Sequence, residues 1–161
     1  MPLTPAQQLV IKTTVESDLT LNALPHTADG AYAIADALAV TAVPDFIVWK
    51  TNVDPNEIMK NGMDWTQVDN LSIGKARIWE WLTALGVINA SKINVRAGID
   101  AAWVGTAAML AVRAAVYVHC KRKANRAEKA LAVGTGTDLS PATMAFEGGL
   151  TYQEIMLAMG W

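Results

Sequence analysis

Few side chains in this sequence stand where they could do covalent chemistry. Cys120 directly follows His119, the residue types of a thiolate–imidazole nucleophile. Neighbours on a helix point about 100° apart and cannot face each other, so Cys120 reads as a buried thiol rather than a nucleophile. His26, in Leu24-Pro25-His26-Thr27 beside a helix start, reads as a surface or capping residue. Gly134-Thr135-Gly136-Thr137 offers a GxG fragment, but no strand precedes it, no helix follows at once and no Lys-Ser/Thr pair completes a phosphate loop. It reads as a hinge. Asp64 and Asp69 flank Trp65 without a histidine or third acid beside them, which leaves them capping and turn roles. One cysteine and two histidines fall short of a four-ligand zinc site. The sequence therefore predicts no catalytic, cofactor or metal site, and the chain is not expected to be an enzyme.

Two groups of residues suit binding instead. Arg122, Arg126 and Lys129 are spaced i, i+4, i+7, one stripe if a helix carries them, with Lys121 and Lys123 beside it. Such a stripe is open to three readings: cations matched to the negative end of their own helix, a contact with an acidic partner surface, or a contact with nucleic-acid phosphates. The second group is the tail, where Phe146, Tyr152, Met156, Met159 and Trp161 supply aromatic and adaptable apolar surface of the kind found at interface centres. Residues 134–161 are read as an arm that docks on another subunit, against the alternative that they pack back on their own domain. Of the other tryptophans, Trp49, Trp65 and Trp103 are expected in the core. Trp79 and Trp81 are two apart and must point to opposite sides of one helix.

The elements that must position these residues are mostly helical. Thr4-Pro5-Ala6-Gln7, Asp54-Pro55-Asn56-Glu57 and Thr151-Tyr152-Gln153-Glu154 are helix starts by capping and proline signals. Residues 27–39 and 71–85 read as helices, the second placing Ile73, Arg77 or Ile78, Trp81 and Leu85 at three- and four-residue steps as an apolar face, with a Gly86 stop. Ser91-Lys92-Ile93-Asn94 begins another. Thr106 to Leu131 contains neither glycine nor proline and predicts one helix of roughly 39 Å at 1.5 Å per residue. Phe46 to Trp49 suits either a strand or a buried helical turn, since periodicity cannot decide at that length. The expectation is a mainly α fold: a helical bundle with a long central helix, little or no sheet, a domain over 1–133, and a flexible connector with an extended C-terminal arm over 134–161.

With 161 residues the chain fits one compact domain. Apolar residues at 52% against 17% charged, with mean hydropathy +0.22, exclude intrinsic disorder. A formal charge of −2 is far from the balance of an autonomous DNA-binding domain, but the total conceals a gradient: residues 1–70 carry −6, 71–135 carry +7 and 136–161 carry −3. The longest strongly apolar run, Ala101 to Val112, is too short for a membrane span, and Met1-Pro2-Leu3-Thr4-Pro5 lacks signal-peptide character. No membrane contact is expected, and synthesis in a reducing cytoplasm suits the single cysteine.

Three blocks carry a resemblance. Val68-Asp69-Asn70-Leu71-Ser72-Ile73-Gly74-Lys75-Ala76-Arg77-Ile78-Trp79-Glu80-Trp81, Asn94-Val95-Arg96-Ala97-Gly98-Ile99-Asp100-Ala101-Ala102-Trp103 and Cys120-Lys121-Arg122-Lys123-Ala124-Asn125-Arg126-Ala127-Glu128 are similar to a family of small structural proteins of tailed bacteriophages and prophages. Its members most resemble head–tail connector, or adaptor, subunits. The resemblance implies a mostly helical, non-enzymatic subunit, made in the bacterial cytoplasm and placed at the head–tail junction of the virion. It implies twelve copies in a ring, partnered by the portal protein and a tail or stopper protein, with a passing contact to packaged DNA. Arg122, Arg126, Lys129, Phe146, Tyr152, Met156, Met159 and Trp161 are the expected subunit- or portal-binding residues. The other readings are a small DNA-binding or regulatory protein using Lys121–Lys129, and a tail terminator or other tail-completion protein.

Overall fold

The computed structural model describes residues 2–161. Among them lie ten helices and one two-stranded sheet, so the chain is mainly helical. In order these are α1 (Pro5–Ser17), α2 (Leu19–Asn22), α3 (Ala28–Ala39), β1 (Ile47–Trp49), α4 (Pro55–Lys60), α5 (Trp65–Asp69), α6 (Ile73–Ala84), α7 (Ile93–Ala102), α8 (Ala107–His119), β2 (Lys121–Lys123), α9 (Arg126–Leu131) and α10 (Tyr152–Met159). The chain divides into two compact units, one of residues 1–48 with 123–161 and one of residues 49–122.

In the first unit, α1 starts where Thr4 and Gln7 close a capping box, and α10 starts on the equivalent box of Thr151 and Glu154. Helix α10 packs on α1 and α3, and α9 packs on both as well. Ile11, Val15, Ile34, Leu38, Leu131 and Ile155 form the buried centre. The approach of α3 to the turn before it is tight: a Cβ on Gly30 would lie 1.9 Å from the carbonyl oxygen of Pro25. Buried Glu128 closes another capping box by accepting from Asn125 N–H (3.0 Å), and it also accepts from Gly148 N–H (2.9 Å). A carboxylate this deep is tolerable because backbone donors satisfy it.

The segment expected to be a hinge is anchored. Gly136 accepts from Ile47 N–H, and its positive φ of 66° places it against Phe46, where a Cβ would lie 2.2 Å from the ring. Val133 and Thr143 exchange both backbone hydrogen bonds at 2.9 Å. The tail follows this anchor, and Phe146, Tyr152, Met156, Met159 and Trp161 lie half-buried against the core of their own unit. Trp161 stacks on His26 at 4.4 Å and Tyr152 on Tyr32 at 4.2 Å. Of the two readings of the tail, packing back on its own domain is the arrangement found.

The second unit gathers α4 to α8 around Trp103, with Trp79, Ile58, Ile88, Ile99 and Val116 also buried. The rings of Trp79 and Trp103 meet edge to face, centroids 5.3 Å apart, and neither buried indole N–H has a hydrogen-bond partner. Trp79 is 4% exposed and Trp81 65%, the opposition their spacing requires. Trp49 is half-buried beneath Arg96, whose guanidinium lies 4.9 Å from the ring centroid. Trp65, expected in the core, is 56% exposed: α5 is only five residues long, and none of them is buried.

The long central helix is not formed. Helix α8 ends at His119, and Lys121–Lys123 instead make β2, which pairs antiparallel with β1, as the bonds from Ala124 N–H to Phe46 O and from Lys50 N–H to Cys120 O require. Cys120 and Ala124, flanking β2, are both buried. A continuous helix would forgo both the strand pairing and the α9 cap. The longest helices are α1 and α8, at 13 residues each.

Candidate interaction site

With the helix broken at β2, Arg122 lies on a strand while Arg126 and Lys129 lie on α9, so the expected three-cation helical stripe does not exist. Arg126 and Lys129 instead line an open trough in the first unit. Helix α1 contributes Thr14, α3 ends in Ala37 and Val40, the following loop supplies Thr41, Ala42 and Val43, and α9 forms the far wall. It comprises two adjoining cavities of about 370 and 400 Å³ that share Val43 and Arg126.

The backbone explains why these groups meet. Arg126 N–H donates to Val40 O and Ala42 N–H to Ala124 O, both at 3.0 Å, which tethers the end of α3 to the start of α9. Arg126 Nη2 lies 2.7 Å from Asp18 Oδ2, an ion pair half shielded from water. Asp18 also caps α2 by accepting from Thr20 and Leu21 N–H. The Arg126 guanidinium, helped by these amides, holds the Asp18 carboxyl below the ordinary aspartate range. Lys129 Nζ stands 5.8 Å from the Phe46 ring centroid. Apolar walls with two positioned cations suit a ring or an aliphatic side chain accompanied by negative charge. Val40 and Val43, 60% and 87% exposed, were missed in the sequence, although two valines around Thr41-Ala42 before Pro44 are an apolar loop with no periodic element to bury it.

The second unit presents a complementary feature. Ile73, Arg77, Trp81 and Leu85 follow at four-residue steps along α6 and its C-cap, and all four are exposed. The periodic face expected of this helix is therefore the one turned to solvent, with Ile73 81% and Leu85 63% exposed, because α6 packs on the core through the Trp79 side instead. Exposed rows of this kind mark interaction surfaces.

The nucleophile and metal candidates stay apart. Cys120 is fully buried, and burial pushes its thiol up to about 11. His119 Nε2 lies 2.8 Å from Asn61 O. At about pH 8 only about a thousandth of such a thiol is thiolate. The folded protein is therefore expected to leave a disulfide reagent unreacted at that pH and to consume one equivalent after urea is added. Rapid stoichiometric labelling without urea would contradict the burial. In the same unit Tyr117 Oη donates to Asp100 Oδ1 at 2.9 Å, and burial together with that carboxylate raises the phenol above its ordinary value. Among the described residues no group of three or more His, Cys, Asp or Glu is placed to hold a metal ion, and no helix is long and apolar enough to cross a membrane.

The structure regroups the charge as well. The first unit holds four basic against nine acidic residues, net −5; the second holds nine against six, net +3. No family model matches the sequence, and comparison with curated proteins and with solved structures finds no match.

Proposed function

We propose that this chain is a structural subunit of a tailed-bacteriophage head-to-tail connector ring, joining portal to tail and acting by assembly rather than turnover. The observation that carries the assembly reading is the division of charge: one compact unit is net −5 and the other net +3, each with exposed apolar surface. A contact between copies that uses two different patches closes a ring when its rotation closes, and the opposite net charges of the two units favour unit one of each copy against unit two of the next. The virion setting rests on the sequence blocks that resemble phage connector subunits. There the ring holds twelve copies to match the portal, meets a tail or stopper protein on its other side and sits at the head–tail junction. Arg126 and Lys129 serve the contact through the trough. The tail residues Phe146, Tyr152, Met156, Met159 and Trp161 shape the surface of the first unit, and Arg122 belongs to the basic second unit. The DNA-binding reading loses its main support, because the Lys121–Lys129 basic helix it needs is divided between a strand and a six-residue helix.

The test is to mix the purified chain with the portal ring encoded in the same genome and to measure mass by light scattering and co-sedimentation. Ring-sized complexes with the portal are expected. A chain that stays at its monomer mass of 17.3 kDa at every concentration, with and without portal, overturns the proposal.

A further inference from the structure

We infer that Trp81 of one copy inserts into the trough of another, so that the α6 row and the α3–α9 trough are the two halves of the contact between copies; the inference rests on the assembly reading above. Trp81 is the largest exposed side chain of the α6 row, and tryptophan is the residue most enriched among dominant interface anchors. An anchor needs a receiving hollow with apolar walls. The trough supplies one, with a cavity of about 400 Å³ walled by Ala37, Val40 and Val43. It adds Arg126, already oriented by Asp18 at 2.7 Å, as a cation for the face of an indole. The same pairing occurs inside the second unit, where Arg96 lies 4.9 Å over the ring of Trp49.

Charge selects a second copy as the occupant. Arg77 lies between Ile73 and Trp81 on the row, on the unit that is net positive. Asp36 is exposed on α3 one turn before Val40 and so stands beside the trough, on the unit that is net negative. Exposed Arg77 and Glu80, on the same helix as Trp81, offer a cation for Asp36 and a carboxylate for the Arg126 and Lys129 that line the trough. Because knob and trough are different patches, the contact is heterologous and each copy has one of each to offer.

That asymmetry gives a decisive experiment. Trp81→Asp removes the knob and leaves the trough; Val40→Arg fills and charges the trough and leaves the knob. Both positions are exposed, 65% and 60%, so both variants should keep the far-ultraviolet circular dichroism of the parent. Each alone is expected to self-associate at least about thirtyfold more weakly than the parent, the effect of losing a dominant anchor. Mixed in equal amounts they should form a discrete species of two chains, twice 17.3 kDa by light scattering, because one intact knob meets one intact trough and growth then stops. Undiminished self-association of Trp81→Asp, or failure of the mixture to form the pair while the parent assembles, overturns this contact and leaves the assembly reading standing. A parent that assembles neither alone nor with the portal overturns the assembly reading itself, and one that never self-associates overturns this contact.

Discussion

Trp103→Ala is expected to remove about 3–5 kcal/mol from the stability of the second unit, the cost of truncating a large buried aromatic in a packed interior. Trp103 is 0% exposed and the largest fully buried side chain, and it meets Trp79 edge to face at 5.3 Å. A domain of this size has a total of roughly 5–10 kcal/mol to lose, so the variant should be partly unfolded at physiological temperature. Trp103→Phe should behave differently. It keeps most of the ring and removes a buried N–H that has no acceptor, a group whose desolvation costs about 1–3 kcal/mol. We expect a net loss below about 2 kcal/mol for that variant, because the removed penalty offsets part of the lost packing. Urea unfolding followed by circular dichroism measures both, and a loss under 1 kcal/mol for the alanine variant would show that the two-tryptophan centre does not hold this unit together.

The same chemical change should have opposite signs at two glycines. In a helix alanine is favoured over glycine by about 1 kcal/mol. Gly74 in α6 has no neighbour within 4 Å of its would-be Cβ, so Gly74→Ala should stabilise by about 0.5–1 kcal/mol. At Gly30 the added Cβ would lie 1.9 Å from Pro25 O and 3.0 Å from Pro25 C. That oxygen accepts from Thr27 N–H at 2.8 Å and so cannot swing aside without loosening the turn that caps α3. The overlap is with backbone, so α3 itself must shift, and the upper end of overpacking costs applies: about 3 kcal/mol, well beyond the propensity gain. Parallel melting curves of the two variants decide the matter. Equal shifts in one direction would mean that helix propensity, not the close approach at Pro25, governs both sites.

Local signals were read from the sequence where their cause is local. Thr4, Asp54 and Thr151 cap their helices because the side-chain oxygen and the amides it satisfies lie within three residues. Trp79 and Trp81 take opposite sides of α6 because the helical angle allows nothing else. The break at 121–125 is also written locally, in the Asn125-Arg126-Ala127-Glu128 capping box, inside a run free of glycine and proline.

The amino-acid order by itself determined a mainly helical chain, most of its helix starts, the opposition of Trp79 and Trp81 and the residues that carry charge, since each depends on neighbours a few positions away, whereas which side of α6 faces inward was settled by packing. Only the tertiary structure decided that Lys121–Lys123 pair with Ile47–Trp49, that the tail packs on α1 and α3, that the acids divide into units of −5 and +3, and that Arg126 and Lys129 meet Val40 and Val43 in a trough. Those outcomes join residues some 70 to 150 positions apart, and the free energy that selects them, strand pairing and apolar burial, exists only once distant segments touch.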